Sequence, residues 1–269
     1  MTQTDLRVEV DVDGVARIVL DRPEAKNALT AGMRDGISET LRGFRADPKV
    51  RAVLITGEGD AFCAGMDLSA STVTQAGKPG FNPRSTSEAL RAGVQTFIRE
   101  LWELDKPTVA AVNGTAVGPG AHLALACDFV FVHPRTRFIW SFAKWGLVAD
   151  AGGAYLLPRL VGLARAKAMI MLGESATGAE AVDLGLAYRC VDDPDSLVPE
   201  ALAVAHKLAA GPTRSLGLSK RLLNTSFESD LPSSLELEAY FQEIATSSPD
   251  LVEGMAAFRE KRDAKFTGE

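Results

Sequence analysis

RAVLITGEGDAFCAGMDLS, residues 51–69, is the stretch whose reading decides the fold. Residues 51–56 are an apolar run of strand length containing Val and Ile, which pack well on a pleated, buried surface, and a glycine-rich loop follows. The same order returns in PTVAAVNGTAVGPG, residues 107–120, which leads through an Ala-rich helical stretch into DFVFV, residues 128–132. Strand, glycine loop, helix and strand, occurring twice, describe a repeated ββα unit in which crossover helices join parallel strands.

Upstream, residues 6–12 and 15–20 are β-branched runs separated by Asp13-Gly14, a strong hairpin signal. Thr30 is placed to N-cap a helix that runs to about Ala46 and stops at Asp47-Pro48. Downstream, residues 70–84 are rich in Gly, Pro and polar side chains and read as a mobile surface loop. Helical spacing returns over residues 85–104 through Leu90, Val94, Phe97, Ile98 and Leu101. Beyond Ala151 the pattern predicts helices over 164–172, 178–184, 198–210, 212–226, 231–246 and 249–261, with only 188–191 strand-like. The expected organisation is an α/β protein with a β/α core over residues 1–195 and a C-terminal helical region over 196–269.

Composition removes several classes of function. The 269 residues carry 29 Lys+Arg against 35 Asp+Glu, a net charge of −6, and 46% are hydrophobic. That length suits one large domain or two small ones. No run of about 18 apolar residues offers a membrane span, and the polar start lacks a basic segment followed by an apolar core. A cytoplasmic protein without a membrane partner is therefore expected. Nucleic acid is not an expected partner either, because phosphate-backbone binding needs clustered Lys and Arg. Cys63, Cys127 and Cys190 lack C-x-x-C spacing and read as reduced thiols, and His122, His133 and His206 are not spaced as a metal site. The phosphate loop G-x-x-x-x-G-K-[ST], the dinucleotide fingerprint G-x-G-x-x-G after a strand, and the hydrolase elbow G-x-S-x-G are all absent.

What remains is a set of segments in fixed order: RPEAKNAL at 22–29, FCAGMDL at 62–68, AVNGTAVG at 111–118, GLVADAGG at 146–153, LPRLVG at 157–162, and GMAAF at 254–258 followed by Lys261-Arg262. Together they resemble the crotonase, or enoyl-CoA hydratase/isomerase, superfamily over almost the whole chain. The resemblance implies a repeated ββα spiral core with a C-terminal helical trimerisation region, and a homotrimer or dimer of trimers. It also implies an acyl-CoA substrate, with coenzyme A as part of that substrate and no separate cofactor.

In that family two backbone N–H groups stabilise the enolate oxygen of a thioester. The resemblance assigns one of them to Met66 and places the backbone around Lys26, Ala28, Ala64, Asp67 and Leu68 against the adenine and pantetheine of coenzyme A. The second donor falls at Pro119, which has no N–H and suits the first position of a helix instead. Gly120, with its N–H turned inward, is the alternative. The two glutamates of the hydratases fall at His122 and Phe142, so this chain has neither. His122 reads as a pocket residue or a satisfied buried histidine.

Asp150 stands where superfamily isomerases acting on dienoyl-CoA or on the ring epoxide of phenylacetyl-CoA carry an aspartate, and where some dehalogenases carry their nucleophile. Residues 142–159 are most similar to the ring-epoxide isomerases. One carboxylate can move a proton between the α and γ carbons of a thioester without adding water. Apolar neighbours such as Trp140, Phe142, Leu147 and Val148 would raise its pKa by desolvation. The competing reading is an N-cap for a helix beginning near Ala151. Near the tail, Phe258 and Lys261 match an aromatic and a lysine that reach the coenzyme A of an adjacent subunit, although an amphipathic helix end has this composition anyway. The expected function is an acyl-CoA isomerase with Asp150 as base. An enoyl-CoA hydratase and a non-catalytic acyl-CoA-binding protein are the alternatives.

Overall fold

The computed structural model describes residues 5–69 and 75–269. The expected hairpin forms from β1 (Leu6–Val10) and β2 (Val15–Leu20), joined by a tight loop in which the Asp11 side chain accepts from the Asp13 and Val15 N–H groups. Then come α1 (Ala31–Ala46), β3 (Ala52–Gly57), β4 (Ala61–Cys63), α2 (Pro83–Ala92), α3 (Val94–Trp102), β5 (Thr108–Val112) and β6 (Thr115–Val117). The middle of the chain supplies α4 (Pro119–Leu125), β7 (Phe129–Val132), β8 (Arg137–Ile139), α5 (Gly153–Val161), α6 (Leu163–Lys167), β9 (Ala176–Thr177), α7 (Gly178–Leu184) and β10 (Arg189–Cys190). Four helices close it: α8 (Leu197–Ala209), α9 (Thr213–Thr225), α10 (Leu231–Thr246) and α11 (Pro249–Glu260).

Two sheets result. The larger has the order β1-β2-β3-β5-β7-β10, parallel except for the β1–β2 hairpin, and the smaller has the order β4-β6-β8-β9. Each turn of the chain gives one strand to each sheet: β3 then β4, β5 then β6, β7 then β8. The repeated ββα reading is therefore the observed architecture. Loops that leave strands on the same side of successive turns are stacked beside one another, which is how residues 64–68 and 117–119 come to share a cleft.

The main core lies between the sheets and the buried faces of α1, α3, α4 and α5, with Ile18, Met33, Ile37, Phe62, Phe97, Phe138 and Trp140 fully enclosed. A second cluster covers the outer face of the large sheet, where Leu197, Ala201, Ala205 and Ala209 of α8 pack on Val15, Leu54, Val109 and Phe131. Thus α8, within the C-terminal helical region of the sequence reading, is part of the sheet's own packing. Thr30 caps α1 by accepting from the Met33 N–H at 3.1 Å. At the other end the buried Lys106 ammonium donates to the carbonyls of Phe44 and Asp47, where the helix dipole favours a cation. The segment around Lys106 therefore carries a structural charge.

Three expectations change in detail. The single helix expected over 85–104 is two helices, broken at Gly93, whose backbone sits at φ −106° and ψ −102° beside the Arg34 guanidinium. The helix over 164–172 turns from α6 into a π-helical turn at Ala168–Leu172. Of the loop expected over 70–84, residues 70–74 lie outside the described residues, and α2 already begins at Pro83.

The tail returns to the core. Arg51, just before β3, donates to the carbonyls of Gly211 and Phe266 and to the Thr213 hydroxyl. The buried Asp250 carboxylate accepts from the Thr267 N–H at 2.6 Å and the Gly268 N–H at 2.8 Å. In contrast, Tyr240, Val252, Met255 and Phe258 of α10 and α11 leave large apolar surfaces exposed. Among the described residues no helix is long and apolar enough to cross a membrane.

Candidate active site

A cleft of ≈ 500 Å³ opens between the loop after β4, the start of α4, the Phe142–Asp150 segment and the α1/α2 side. Its lining includes Ala64, Gly65, Met66, Asp67 and Leu68 on one wall and Val117, Gly118, Pro119, Phe142, Trp145, Leu147 and Asp150 on the other. Seven residues singled out from the sequence therefore meet here: Ala64, Met66, Asp67, Leu68, Pro119, Phe142 and Asp150.

The first wall is tied down by hydrogen bonds. The Ala64 N–H donates to the Lys26 carbonyl at 2.9 Å, the Leu29 N–H to the Gly65 carbonyl at 2.7 Å, and the Asp67 N–H to the Leu29 carbonyl at 3.1 Å. These leave the Met66 N–H without an acceptor among the described residues, on a residue that lines the cleft. Gly65 is required for this path. It sits at φ +89°, and a Cβ there would lie 2.8 Å from the Val117 carbonyl oxygen. Arg22 braces the loop from below, donating to Asp67 Oδ2 at 2.6 Å and to the Ala28 carbonyl at 3.2 Å. With the Ser69 hydroxyl and N–H and the Arg22 guanidinium around it, the Asp67 carboxyl is held down at about 2. Asn27, fully buried, accepts from the Arg22 N–H and donates to the Glu58 and Ala61 carbonyls, which locks the 22–29 segment onto β4.

The second wall is built differently. Pro119 brings no N–H, and the Gly118 N–H already donates to the Ile139 carbonyl at 2.8 Å. Gly120 does not replace them, because it is packed against Cys63 behind the cleft and is absent from its lining. The expectation that Gly120 meets substrate is corrected on that ground.

Asp150 reaches the cleft from a turn that the sequence did not reveal. Ala151 adopts φ +49°, Gly152 is the residue preceding α5 at φ +76°, and the Gly153 N–H returns to the Asp150 carbonyl at 2.9 Å. The Asp150 side chain caps no helix, so the N-cap reading fails. Its Oδ1 is buried without a partner, and desolvation raises the carboxyl to about 6. The apolar lining that Phe142 and Leu147 give the cleft supplies part of that environment, whereas Val148 is 84% exposed and contributes little.

His122 is fully buried behind Phe142, the two rings stacked at 5.8 Å and 8°, and is not part of the lining. The pocket role expected for His122 is corrected accordingly. Its Nε2 accepts from the Trp140 indole N–H at 3.1 Å, and burial pushes the imidazole down to about 4. Lys26 and Ala28 stand behind the first wall, contributing carbonyls to it while the Lys26 side chain points to solvent. Phe258, 83% exposed, and Lys261 lie on the distal tail and do not line the cleft of their own chain.

Several lining residues carried no sequence signal. Arg34, Thr86 and Ala89 close the α1/α2 side beside Leu90 of the apolar stripe, and Trp145 overhangs the second wall beside Leu147. Arg22 lay inside a quoted motif, yet its partner is 45 residues away, so only the fold could disclose the pair.

Comparison with known proteins gives a consistent picture. The enoyl-CoA hydratase/isomerase family pattern matches residues 11–269. The chain is 38% identical over 259 residues to 1,2-epoxyphenylacetyl-CoA isomerase of Escherichia coli (strain K12), covering 95% of each. It is 34% identical over 254 residues to the mitochondrial enoyl-CoA hydratase of Pongo abelii, covering 94% of this chain and 83% of that one. Among solved structures, the enoyl-CoA hydratase of Bacillus anthracis superposes with a TM-score of 0.90 at 30% identity, over 98% of this chain and 100% of that one.

Proposed function

The chain belongs to the enoyl-CoA hydratase/isomerase family, and from that premise we propose that it is an acyl-CoA isomerase in which Asp150 moves the proton. The observation that carries the reading is Asp150 itself. Its carboxyl is aimed at the cleft, is released from any capping duty, and is raised by desolvation to about 6, a useful value for a base acting near neutrality. The carboxylate removes a proton from a carbon conjugated to the thioester. The C–H electron pair becomes the enolate, whose oxygen accepts the Met66 N–H, and the same carboxyl returns the proton to the other end of the conjugated system. The double bond moves and no water is consumed. A ring-derived acyl group suits the aromatic and aliphatic lining of Phe142, Trp145, Leu147 and Leu90, in keeping with the name of the relative from Escherichia coli.

The hydratase reading draws on the names of other relatives, but addition of water needs an acid/base pair held around it. Phe142 is apolar and His122 is enclosed, which favours isomerisation over hydration. The missing N–H at Pro119 is the feature that favours a non-catalytic acyl-CoA-binding protein. Turnover in deuterated water decides among the three. Isomerisation places deuterium on the α or γ carbon and is lost in Asp150→Asn. Loss of the conjugated-enoyl absorbance with crotonyl-CoA would select the hydratase, and binding without exchange would select the non-catalytic protein.

The proposal extends to assembly. The exposed apolar faces of α10 and α11 are suited to a homotrimer or dimer of trimers, in which Phe258 and Lys261 would reach the coenzyme A of a neighbouring copy. Coenzyme A enters as part of the substrate, and the expected place of action is the cytoplasm. Sedimentation equilibrium of the full chain tests the assembly.

A further inference from the structure

Across the cleft from Met66, the start of α4 offers no backbone donor, because Pro119 has no N–H and the Gly118 N–H is held by the Ile139 carbonyl. The two walls meet at this point. A Cβ at Gly65, the residue before Met66, would lie 2.8 Å from the Val117 carbonyl oxygen and 3.5 Å from the Pro119 ring. A second donor to an oxygen held by the Met66 N–H therefore has to be a side chain beside Pro119.

The pairing of β6 with β8 identifies one. The strands run parallel in the register Thr115↔Arg137, Ala116↔Phe138 and Val117↔Ile139, and the Gly118 N–H continues the ladder to the Ile139 carbonyl. Carried two residues further, this register sets Ser141 beside Pro119. Side chains alternate between the two faces of a strand. Phe138 and Trp140 are fully enclosed in the core, their rings stacked at 6.3 Å and 15°. Val117 lines the cleft, so its partner Ile139 and, two residues on, Ser141 take that face. Ser141 lines the cleft together with Val117, Gly118 and Pro119.

The Ser141 backbone is fixed, its carbonyl accepting the Lys144 N–H at 3.1 Å at the entry to the turn Ala143–Trp145. Its hydroxyl has no hydrogen-bond partner among the described residues. A hydroxyl hydrogen rotates to suit its acceptor, so it can turn to an oxygen in the cleft. Other lining hydroxyls are placed elsewhere: that of Ser69 donates to Asp67 Oδ1, and those of Thr30 and Thr86 belong to the α1/α2 side.

We infer that Ser141 is a further catalytic residue, whose hydroxyl donates to the thioester oxygen from beside Pro119 and completes the enolate site begun by the Met66 N–H. No bond is made or broken at Ser141. Its hydrogen bond strengthens as charge builds on the oxygen and relaxes when the proton returns to carbon. The inference rests on the enolate reading of the reaction, with Met66 as the first donor.

Cinnamoyl-CoA bound to the full-length protein reads the site without turnover, because hydrogen bonds to its thioester oxygen move its absorption to longer wavelength. The wild type is expected to shift the band to the red. Ser141→Ala should lose about half of that shift, and Ser141→Ala combined with Pro119→Gly, which returns an N–H to the same wall, should regain most of it. With trans-3-hexenoyl-CoA as substrate, Ser141→Ala is expected to lower kcat about 10²-fold while KM stays within about twofold, the pattern of an interaction made in the transition state. Ser141→Thr keeps the hydroxyl and should keep most of the rate, and adding Pro119→Gly to Ser141→Ala should recover roughly tenfold. An undiminished red shift in Ser141→Ala overturns the role of Ser141 and leaves the enolate reading standing. A wild type that binds cinnamoyl-CoA without any red shift overturns both.

Discussion

The two walls of the cleft are made by opposite rules. Along residues 64–69 the loop is tied at several points, to the Lys26 and Leu29 backbone and through Asp67 to Arg22 and Ser69, while the N–H groups of Gly65, Met66 and Leu68 have no acceptor among the described residues. Across the cleft, Pro119 has no N–H, Gly118 has spent its own, Ala151 is in a left-handed conformation, and His122 and Asp150 each keep an orphan atom. A wall tied at several points can hold a ligand in one place, because any movement of the loop breaks several hydrogen bonds at once. The second wall carries the Asp150 carboxyl, whose buried Oδ1 lacks a partner and whose pKa desolvation raises to about 6. Under the proposed reaction, holding and reacting would fall on the two sides of the cleft.

The comparison can be broken most severely at Asp150. Replacement by Asn is expected to lower turnover about 10²–10⁴-fold while acyl-CoA binding, measured by calorimetry, changes little. In the wild type the acid limb of kcat/KM should lie near the raised value of about 6, with activity rising as pH climbs through it. A limb near the ordinary ~3.9 would mean that the second wall is not the reactive one.

Next comes the holding wall. Gly65→Ala must displace either the Val117 carbonyl or the loop, carrying the Met66 N–H with it, and is expected to reduce kcat about 10²-fold with the global fold retained by circular dichroism. Full activity would show that Met66 does not face the developing charge. Pro119→Gly asks the converse question by restoring an N–H to the poorer wall, and a rise in kcat of up to about tenfold is expected. Unchanged kinetics would show that one N–H is sufficient here.

The smallest effect is on stability. A carboxyl raised to about 6 favours the fold while protonated, and that contribution is lost as pH climbs from the ordinary carboxylate range through about 6. Asp150→Asn should therefore be more stable than wild type by about 1–2 kcal/mol at pH 8, with the difference vanishing near pH 4. Urea midpoints at the two pH values measure it.

Much of this contrast could be read from the chain before folding, and the part that could not has a physical reason. Parallel strands announced themselves because buried strands are short apolar runs, and Thr30 was visible as a cap because its side chain acts three residues away. The break at Gly93 was hidden because the apolar stripe runs through it from Leu90 to Val94 and Phe97 without losing phase. Asp150 was legible as a candidate base with a helix cap as the competing reading, since the pattern around it does not record that Ala151 turns left-handed. The pairings Arg22–Asp67 and Trp140–His122 join residues 45 and 18 positions apart, and no local rule specifies them.

The grip of Arg51 on the Phe266 carbonyl spans 215 residues of chain. A ribosome adding about 5–20 residues per second delivers residue 266 some 10–40 s after Arg51, so the last of the guanidinium's three acceptors arrives well after Gly211 and Thr213. Asp250 waits more briefly, for Thr267 and Gly268. A chain clipped just before these residues would keep Arg51 bonded to Gly211 and Thr213 but leave the buried Asp250 carboxylate without the N–H groups that satisfy it, so the last few residues act as a plug for a buried charge.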